Sequence, residues 1–495
     1  MTERFAYDAV PYDTEANPEA HPRSMATLAR LLGRTAAAPS TARVLEIGCG
    51  DGEHLIAAAS YLPRARFVGF DLAADAVARG TAAARAAGIE NVELLHRDVR
   101  DVRDVRDLRD VRDVHLTATD GAFDYVVAHG VYSWVPEAIR GDVLAVIRSA
   151  LAPDGIGFLS VNALPGWTLR RALRGLMREA SAAADEPAAK VRAALALVED
   201  LAAAGVSAPG FVGVLAKAAE EYRAHVVKAT PPDASFSRYV FHDLLADRND
   251  PFSVAELSAR LRPAGLRILC ETPLSPARTK DFPGLAEDMA RTGSPFLQVL
   301  VCRDDGIDSE DDGHPRAPSL ATIRMMDLWA DLTPAPGGGF RTTTGALLRA
   351  APGSPLARAA GAAPGFVPVS SLADDERSMA QLEHDLFAAS CEGVLLLATE
   401  GAPIRGASDT PRVDGYVRAR ARDALARGAR TAVLTSALHR SFRVPGAELR
   451  VVVELDGRAT VTQVVERVGD AALVERVIDR FARYGFLIAS REGPT

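Results

Sequence analysis

A chain of 495 residues, 48% hydrophobic and 25% charged, has room for about three domains with apolar cores. Its net charge of −8 argues against a general nucleic-acid binder, because phosphate binding needs an excess of Lys and Arg. The four cysteines (Cys49, Cys270, Cys302, Cys391) are scattered and form no CxxC, the N-terminus has no apolar signal core, and no run of about twenty apolar residues exists; a reducing cytoplasm is expected, with no metal site and no membrane span.

Residues 1–20 read as irregular, and "HPRSMATLARLLGR" as a helix with Met25, Leu28, Leu31 and Leu32 at helical spacing. "ARVLEIGCGDGEHLIAAASYL" is then a short apolar strand, a glycine loop and a helix. "ARFVGFDLAADAVARGTAAARAAG" repeats strand, turn and helix. "VELLHRD" is a third strand, "FDYVVAHG" a fourth, 137–151 a helix and "GIGFLSVNAL" a fifth strand. Apolar strands alternating with helices predict a parallel, doubly wound sheet covered on both faces. Residues 166–232 read as a helical insertion. The pattern resumes with "FSVAELSARLRPAG" as the last helix, then strands at "LRILCE" and "SPFLQVLVCR".

The triplet repeat "DVRDVRDVRDLRDVRDVH" (98–115) matches neither the helical nor the strand period, so it is expected to be a solvated loop expansion. Residues 304–318 are acidic and poor in bulky apolar side chains, as a linker would be. The final segment, "ATVTQVVERVGDAALVERVIDRFARYGFLIAS", predicts helix, helix, strand in a winged-helix-like manner. It has no basic recognition face, so a packing module is expected in preference to DNA binding.

The chemistry concentrates at strand ends. "VLEIGCGDG" puts Glu46, Gly48, Gly50 and Gly52 at the first strand-to-helix turn, where bare backbone lets a ligand approach closely. Asp71 ends the second strand, where a carboxylate can take both hydroxyls of a ribose. Asp98 ends the third and can accept from an adenine amino group, with Val99 beside it. The spacing is GxGxG, with an acid two residues before the first glycine. A pyrophosphate wants uncompensated N–H groups, not a carboxylate. A cation with an amino-acid end, such as S-adenosylmethionine, suits the loop better.

This constellation resembles the class I S-adenosylmethionine-dependent methyltransferases. The resemblance implies a Rossmann-like seven-stranded sheet ending in an antiparallel pair, with Cys49, Leu72, Ala128 and His129 also lining the cofactor. It brings "AHGVYSWVP" (128–136) beside the transferable methyl group. Aromatic walls exclude water and favour cations. His129 and Tyr132 are therefore candidates to orient an acceptor or take up a proton, and Trp134 to shape the channel; Trp134 could equally be core and His129 a turn-holder. The Asn/Asp-Pro-Pro-aromatic motif of many adenine and glutamine methyltransferases is missing here.

A narrower resemblance covers nearly the whole chain. "YDAVPYD", "HPRSMATLARLLG", "AHGVYSWVP", "LSVNALPGW" and "YVFHDLLADRNDPFSVAELSARLRPAGLRIL" are similar to methyltransferases carrying a methyltransferase regulatory domain, whose best-known members are rickettsial protein lysine methyltransferases. The triplet repeat and the acidic "CGDGEHL" depart from that pattern. The resemblance implies a cap segment (1–30) bringing Tyr7 and Tyr12 over the cofactor, and a pocket wall from Asn162, Pro165 and Trp167. Trp167 could instead pack within the insertion. The expected divisions are 31–165 cofactor core, 166–235 helical insertion, 236–303 completion of the sheet, 304–318 linker and 319–495 a winged-helix-like α+β domain. The expected activity is methyl transfer to an amine, foremost a lysine of a protein or peptide. The alternatives are a small-molecule N- or O-methyltransferase and a non-catalytic cofactor-binding interaction protein.

Overall fold

The structure, a computed structural model, describes residues 14–102, 123–229, 240–274, 284–304 and 318–489, apart from short breaks at 331, 336–338, 343–346, 349–352 and 363. Tyr7, Tyr12, most of the triplet repeat and nearly all of the expected linker lie outside the described residues.

The chain enters through helix α1 (Pro22–Leu31) and forms β1 (Arg43–Ile47), α2 (Glu53–Tyr61), β2 (Arg66–Asp71), α3 (Ala74–Ala86), β3 (Val92–His96), β4 (Phe123–Ala128), α4 (Glu137–Ala150) and β5 (Leu151–Asn162). Helices α5 (Trp167–Ser181), α6 (Pro187–Ala204) and α7 (Phe211–Ala229) follow, then α8 (Val254–Leu261), β6 (Leu266–Glu271), α9 (Leu285–Thr292) and β7 (Phe296–Arg303). The seven strands form one sheet in the order β3-β2-β1-β4-β5-β7-β6. β7 runs antiparallel to both neighbours, and the remaining pairs are parallel.

The strand sequences dictate this placement. Val44, Leu45 and Ile47 of β1 and Tyr125, Val126 and Val127 of β4 are buried, as a sheet covered on both faces requires. Each such side chain contributes roughly 1.5–3 kcal/mol by leaving water. Gly69 in β2 permits a close approach, since a Cβ there would stand 2.6 Å from Leu55 and 2.8 Å from the Cys49 sulfur. That contact seats the glycine loop and α2 directly on the sheet.

Two elements differ from expectation. β5 starts at Leu151, because the chain stays extended through "APDG" across a register shift against β4. The last helix before β7 is α9, an eight-residue segment that was not foreseen; it ends on left-handed Gly293. α8 sits one step earlier and begins with a Ser253–Glu256 capping box.

The insertion α5–α7 has its own small core, which includes Trp167, Leu173, Met177, Val191 and Val198. The C-terminal part is helical, with short strands. The hairpin Thr431–Thr435/Ser441–Pro445 precedes the helices Gly446–Glu454, Val461–Val468 and Ala471–Arg483, and Leu487 and Ile488 then bridge to Val413 and Ile404. It is not packed as a separate bead. One apolar cluster runs from Met25 and Val44 through Leu328 and Phe387 to Tyr416.

Candidate active site

The glycine loop is shaped by backbone conformation before any ligand is considered. Gly48, Gly50 and Gly52 have φ of 71°, 57° and 73°, values that side chains with a Cβ rarely adopt. The neighbours forbid larger residues as well. A Cβ on Gly48 would meet Val131 at 2.4 Å, and one on Gly52 would meet Leu94 at 2.6 Å. Asp71 locks the loop to the end of β2, its carboxylate accepting from Gly50 N–H at 2.8 Å and from Ala73 N–H at 2.7 Å.

Glu46 lies at the end of β1 and is 5% exposed, with Oε2 buried and unpartnered. Burial, with Asp71 and Asp51 nearby, pushes its carboxyl up to about 8. A buried acid left without a donor is costly, and a cationic group placed there would relieve it. This is the feature that fits the amino end or sulfonium of S-adenosylmethionine. Cys49 is buried beneath the loop, and its thiol is pushed well above the ordinary range by burial and the neighbouring acids, which disfavours the thiolate.

At the third strand, Asp98 is not a free acceptor. It caps the 3-10 turn Val99–Asp101 and pairs with Arg100, whose Nε lies 3.0 and 3.1 Å from its two oxygens. Its pKa is lowered, first by that hydrogen bond. Val99 is half-buried beside it, Leu72 is exposed at the loop end, and Ala128 is buried at the end of β4.

The aromatic loop divides its residues between two environments. His129 sits half-buried at the strand end, with Nδ1 3.1 Å from Ser160 Oγ and 3.2 Å from Asn17 Nδ2. Desolvation pushes it down to about 4, so the imidazole is neutral at ordinary pH. Gly130 next to it has φ 66° and open space around its Cα. Tyr132 goes the other way. It is 1% exposed and packs on Phe252, with ring centroids 5.4 Å apart and Arg140 over its face. Ser133 is buried and accepts the Asn162 N–H at 2.9 Å. Trp134 is half-buried, its backbone N–H closing a turn onto the Val131 carbonyl.

Of the expected pocket wall, Asn162 is buried and donates to Asn249 Oδ1 at 2.7 Å. Pro165 follows a cis peptide and is exposed. Trp167 packs inside the helical insertion. The groups brought together at the strand ends are thus Glu46, Asp71, His129 and the glycines, with Asp98 at the outer strand.

Sequence reading missed Asn17, Ser160 and Gln298. Asn17 Nδ2 donates to Gln298 Oε1 at 2.7 Å while touching His129, and Ser160 Oγ accepts the Gly130 N–H at 2.8 Å. Ser160 and Gln298 did carry a signal, as lone polar residues inside the apolar runs "FLSV" and "FLQVLV". Thr14, the first described residue, hydrogen-bonds Asp51, and its methyl would block a Cβ on Gly50 at 2.7 Å. Among the described residues no helix is long and apolar enough to cross a membrane, and no group of three ligand-type side chains could hold a metal ion.

Comparison with known proteins agrees with this fold. Residues 45–156 match the methyltransferase domain family. An uncharacterized protein of Rickettsia prowazekii is 34% identical over 171 residues, 34% of this chain and 28% of that protein. A second from the same organism is 33% identical over 176 residues, 36% of this chain and 65% of that protein. The chain therefore spans less than two thirds of the length of these curated relatives. The solved structure of PKMT2 from Rickettsia typhi in complex with AdoHcy has the same fold, with a TM-score of 0.78 at 20% identity over 97% of this chain and 100% of that one. Residues 45–156 are a class I methyltransferase domain, a fold class whose methyl donor is S-adenosylmethionine.

Proposed function

We propose that this protein is an S-adenosylmethionine-dependent methyltransferase acting on an amine, foremost a lysine side chain of a protein or peptide. The observation that supports the cofactor half is the buried, unpartnered oxygen of Glu46, two residues before a loop of three left-handed glycines that Asp71 ties to the end of β2. Likeness in fold to PKMT2 and the resemblance to rickettsial protein lysine methyltransferases support the acceptor half.

When bound, the sulfonium supplies an electrophilic methyl carbon, with neutral sulfur as the leaving group. The chain's own residues do the rest. Glu46 and Asp71 would hold the amino and ribose ends, and Asp98 the adenine once Arg100 swings aside. A lysine amine has pKa about 10.4 in water and must lose a proton before its lone pair can attack. An enclosed site disfavours the cation and helps that loss. His129 has a lowered basicity that suits accepting a hydrogen bond from the amine more than storing its proton. Asn17 and Ser160 fix its ring, which orients the acceptor. Tyr132 supports the loop from behind through Phe252 and Arg140.

Incubation with methyl-labelled cofactor and a lysate, followed by separation of protein from small molecules, tests this. Label on protein lysines is expected. Label only in metabolites would replace lysine with a small-molecule acceptor. Failure to bind S-adenosylmethionine or S-adenosylhomocysteine in calorimetry would remove the whole reading.

A further inference from the structure

Helix α2 leaves the glycine loop with two buried polar side chains that the chemistry above does not use, Glu53 and His54, 4% and 5% exposed. Both are held by residues more than 360 positions away in the chain. The Tyr416 hydroxyl donates to Glu53 Oε2 at 2.5 Å, Thr435 Oγ1 donates to Oε1 at 3.2 Å, and the Arg420 guanidinium stands 3.6 Å from Oε2. His439 Nε2 lies 2.8 Å from His54 Nδ1, which also accepts the Asn17 N–H at 3.3 Å. His439 has φ 59°, the single positive value at a non-glycine among the described residues. Such a conformation is unfavourable for a residue with a Cβ and persists where its surroundings over-determine it.

We propose that Tyr416, Arg420, Thr435 and His439 are positioning residues for the cofactor loop: the C-terminal domain clamps the first turn of α2 and so fixes residues 48–52 in the shape that receives the cofactor. The mechanical link is short. Ile56 N–H bonds back to Gly52 O at 2.8 Å, and Glu53 N–H to Asp51 Oδ1 at 3.4 Å, so a shift of Glu53 drags Gly52 and Asp51 with it. Three glycines in five residues give the loop little stiffness of its own. A clamp from outside removes that freedom before binding, and pre-organisation is returned as affinity. The line of contacts continues through Asn17, which joins His54 to His129, so the same clamp reaches the mouth of the site.

This inference rests on the cofactor reading above, and the two can fail separately. The test uses the full chain with Tyr416→Phe, Thr435→Val and His439→Asn; asparagine tolerates the left-handed backbone and lacks the imidazole. S-adenosylhomocysteine is titrated calorimetrically at a temperature where circular dichroism shows each variant folded, and methyl transfer is assayed against cofactor concentration. The expected result is a Kd raised about tenfold, equivalent to about 1.4 kcal/mol, with KM for the cofactor rising more than kcat falls. A lowered Tm with wild-type Kd and wild-type cofactor KM in the variants that fold would overturn the clamp and leave those contacts as packing alone. Wild-type protein that takes up no S-adenosylhomocysteine would overturn the cofactor reading itself.

Discussion

Glu46 and Glu53 stand seven residues apart, one on each side of the glycine loop, and both are almost sealed from water at 5% and 4% exposure. Their surroundings are opposite. Glu46 has a buried oxygen with no donor and two more acids near it. Glu53 has Tyr416, Thr435 and Arg420 around it, and these work against the upward push of burial. A buried acid that the fold completes is part of the framework, whereas one that the fold leaves incomplete marks a place for something else. Burial alone does not tell the two apart; the partner count does.

The largest expected effect is on the completed side. His21, His54 and His439 lie together behind the loop, and all three are held neutral by burial, His54 with a pKa of about 3. With His129 at about 4, four rings resist protons in the fold that the unfolded chain would take up near pH 6.5. The unfolded state therefore binds more protons below that pH, and stability must fall as pH drops through 6 towards 4. Each ring contributes up to about 1.4 kcal/mol per pH unit. Urea unfolding at stepped pH measures the slope, and a flat profile from 6.5 to 4.5 would mean these rings are not sealed.

Next comes Glu53→Ala, which leaves Arg420 and Tyr416 facing a buried gap. Removing one partner of such a set costs about 3–5 kcal/mol, read as a loss of unfolding free energy. Glu46→Gln should do the reverse to the free protein, raising its melting temperature while weakening S-adenosylmethionine binding by about 10- to 150-fold, on the basis of about 1.5–3 kcal/mol for a hydrogen bond to a charged group. If Glu46→Gln proves destabilising with affinity intact, the contrast between the two acids collapses.

A finer test uses protons. Glu46 holds its proton up to about pH 8 in the fold and loses it near 4.5 when unfolded, so it lowers stability progressively as pH rises between those values. A bound cation would reverse that preference. Titrations at pH 7 in buffers of different ionisation enthalpy should therefore show release of about one proton per cofactor in the wild type and none in Glu46→Gln. The smallest effect is expected for Ser160→Ala, which frees one edge of His129. A loss of about 1 kcal/mol in kcat/KM, roughly fivefold, with cofactor Kd unchanged, would match one lost neutral hydrogen bond.

What the sequence disclosed follows the same division. Gly48, Gly50, Gly52, Glu46 and Asp71 were legible because a strand, a turn and a helix fall within a few residues, and the local backbone alone fixes their places. The same local alternation announced a parallel, doubly wound sheet, while the antiparallel end was implied by the family resemblance and the strand order, set by long-range pairing, was not legible. The loop "AHGVYSWVP" displayed its aromatics but not their directions: His129 faces Asn17 and Ser160 while Tyr132 turns onto Phe252. No periodicity separates neighbours in an irregular turn. Trp167 could be taken for a pocket wall because nothing in the chain announces the small core of the insertion that claims it. The set around Glu53 and His54 was invisible for a different reason, since its members come from opposite ends of the chain.

The separation of 363 residues between Glu53 and Tyr416 also sets a schedule for synthesis. At about 5–20 residues per second a ribosome needs roughly 20–70 s to deliver the tyrosine after the glutamate. The sheet can be completed once β7, ending at Arg303, has been made, yet the rear of its first crossover stays wet and open to chaperones or proteases until Tyr416 follows. The segment from Tyr416 to His439 closes it, so a chain that stops short of that segment carries a folded-looking front with an unfinished back.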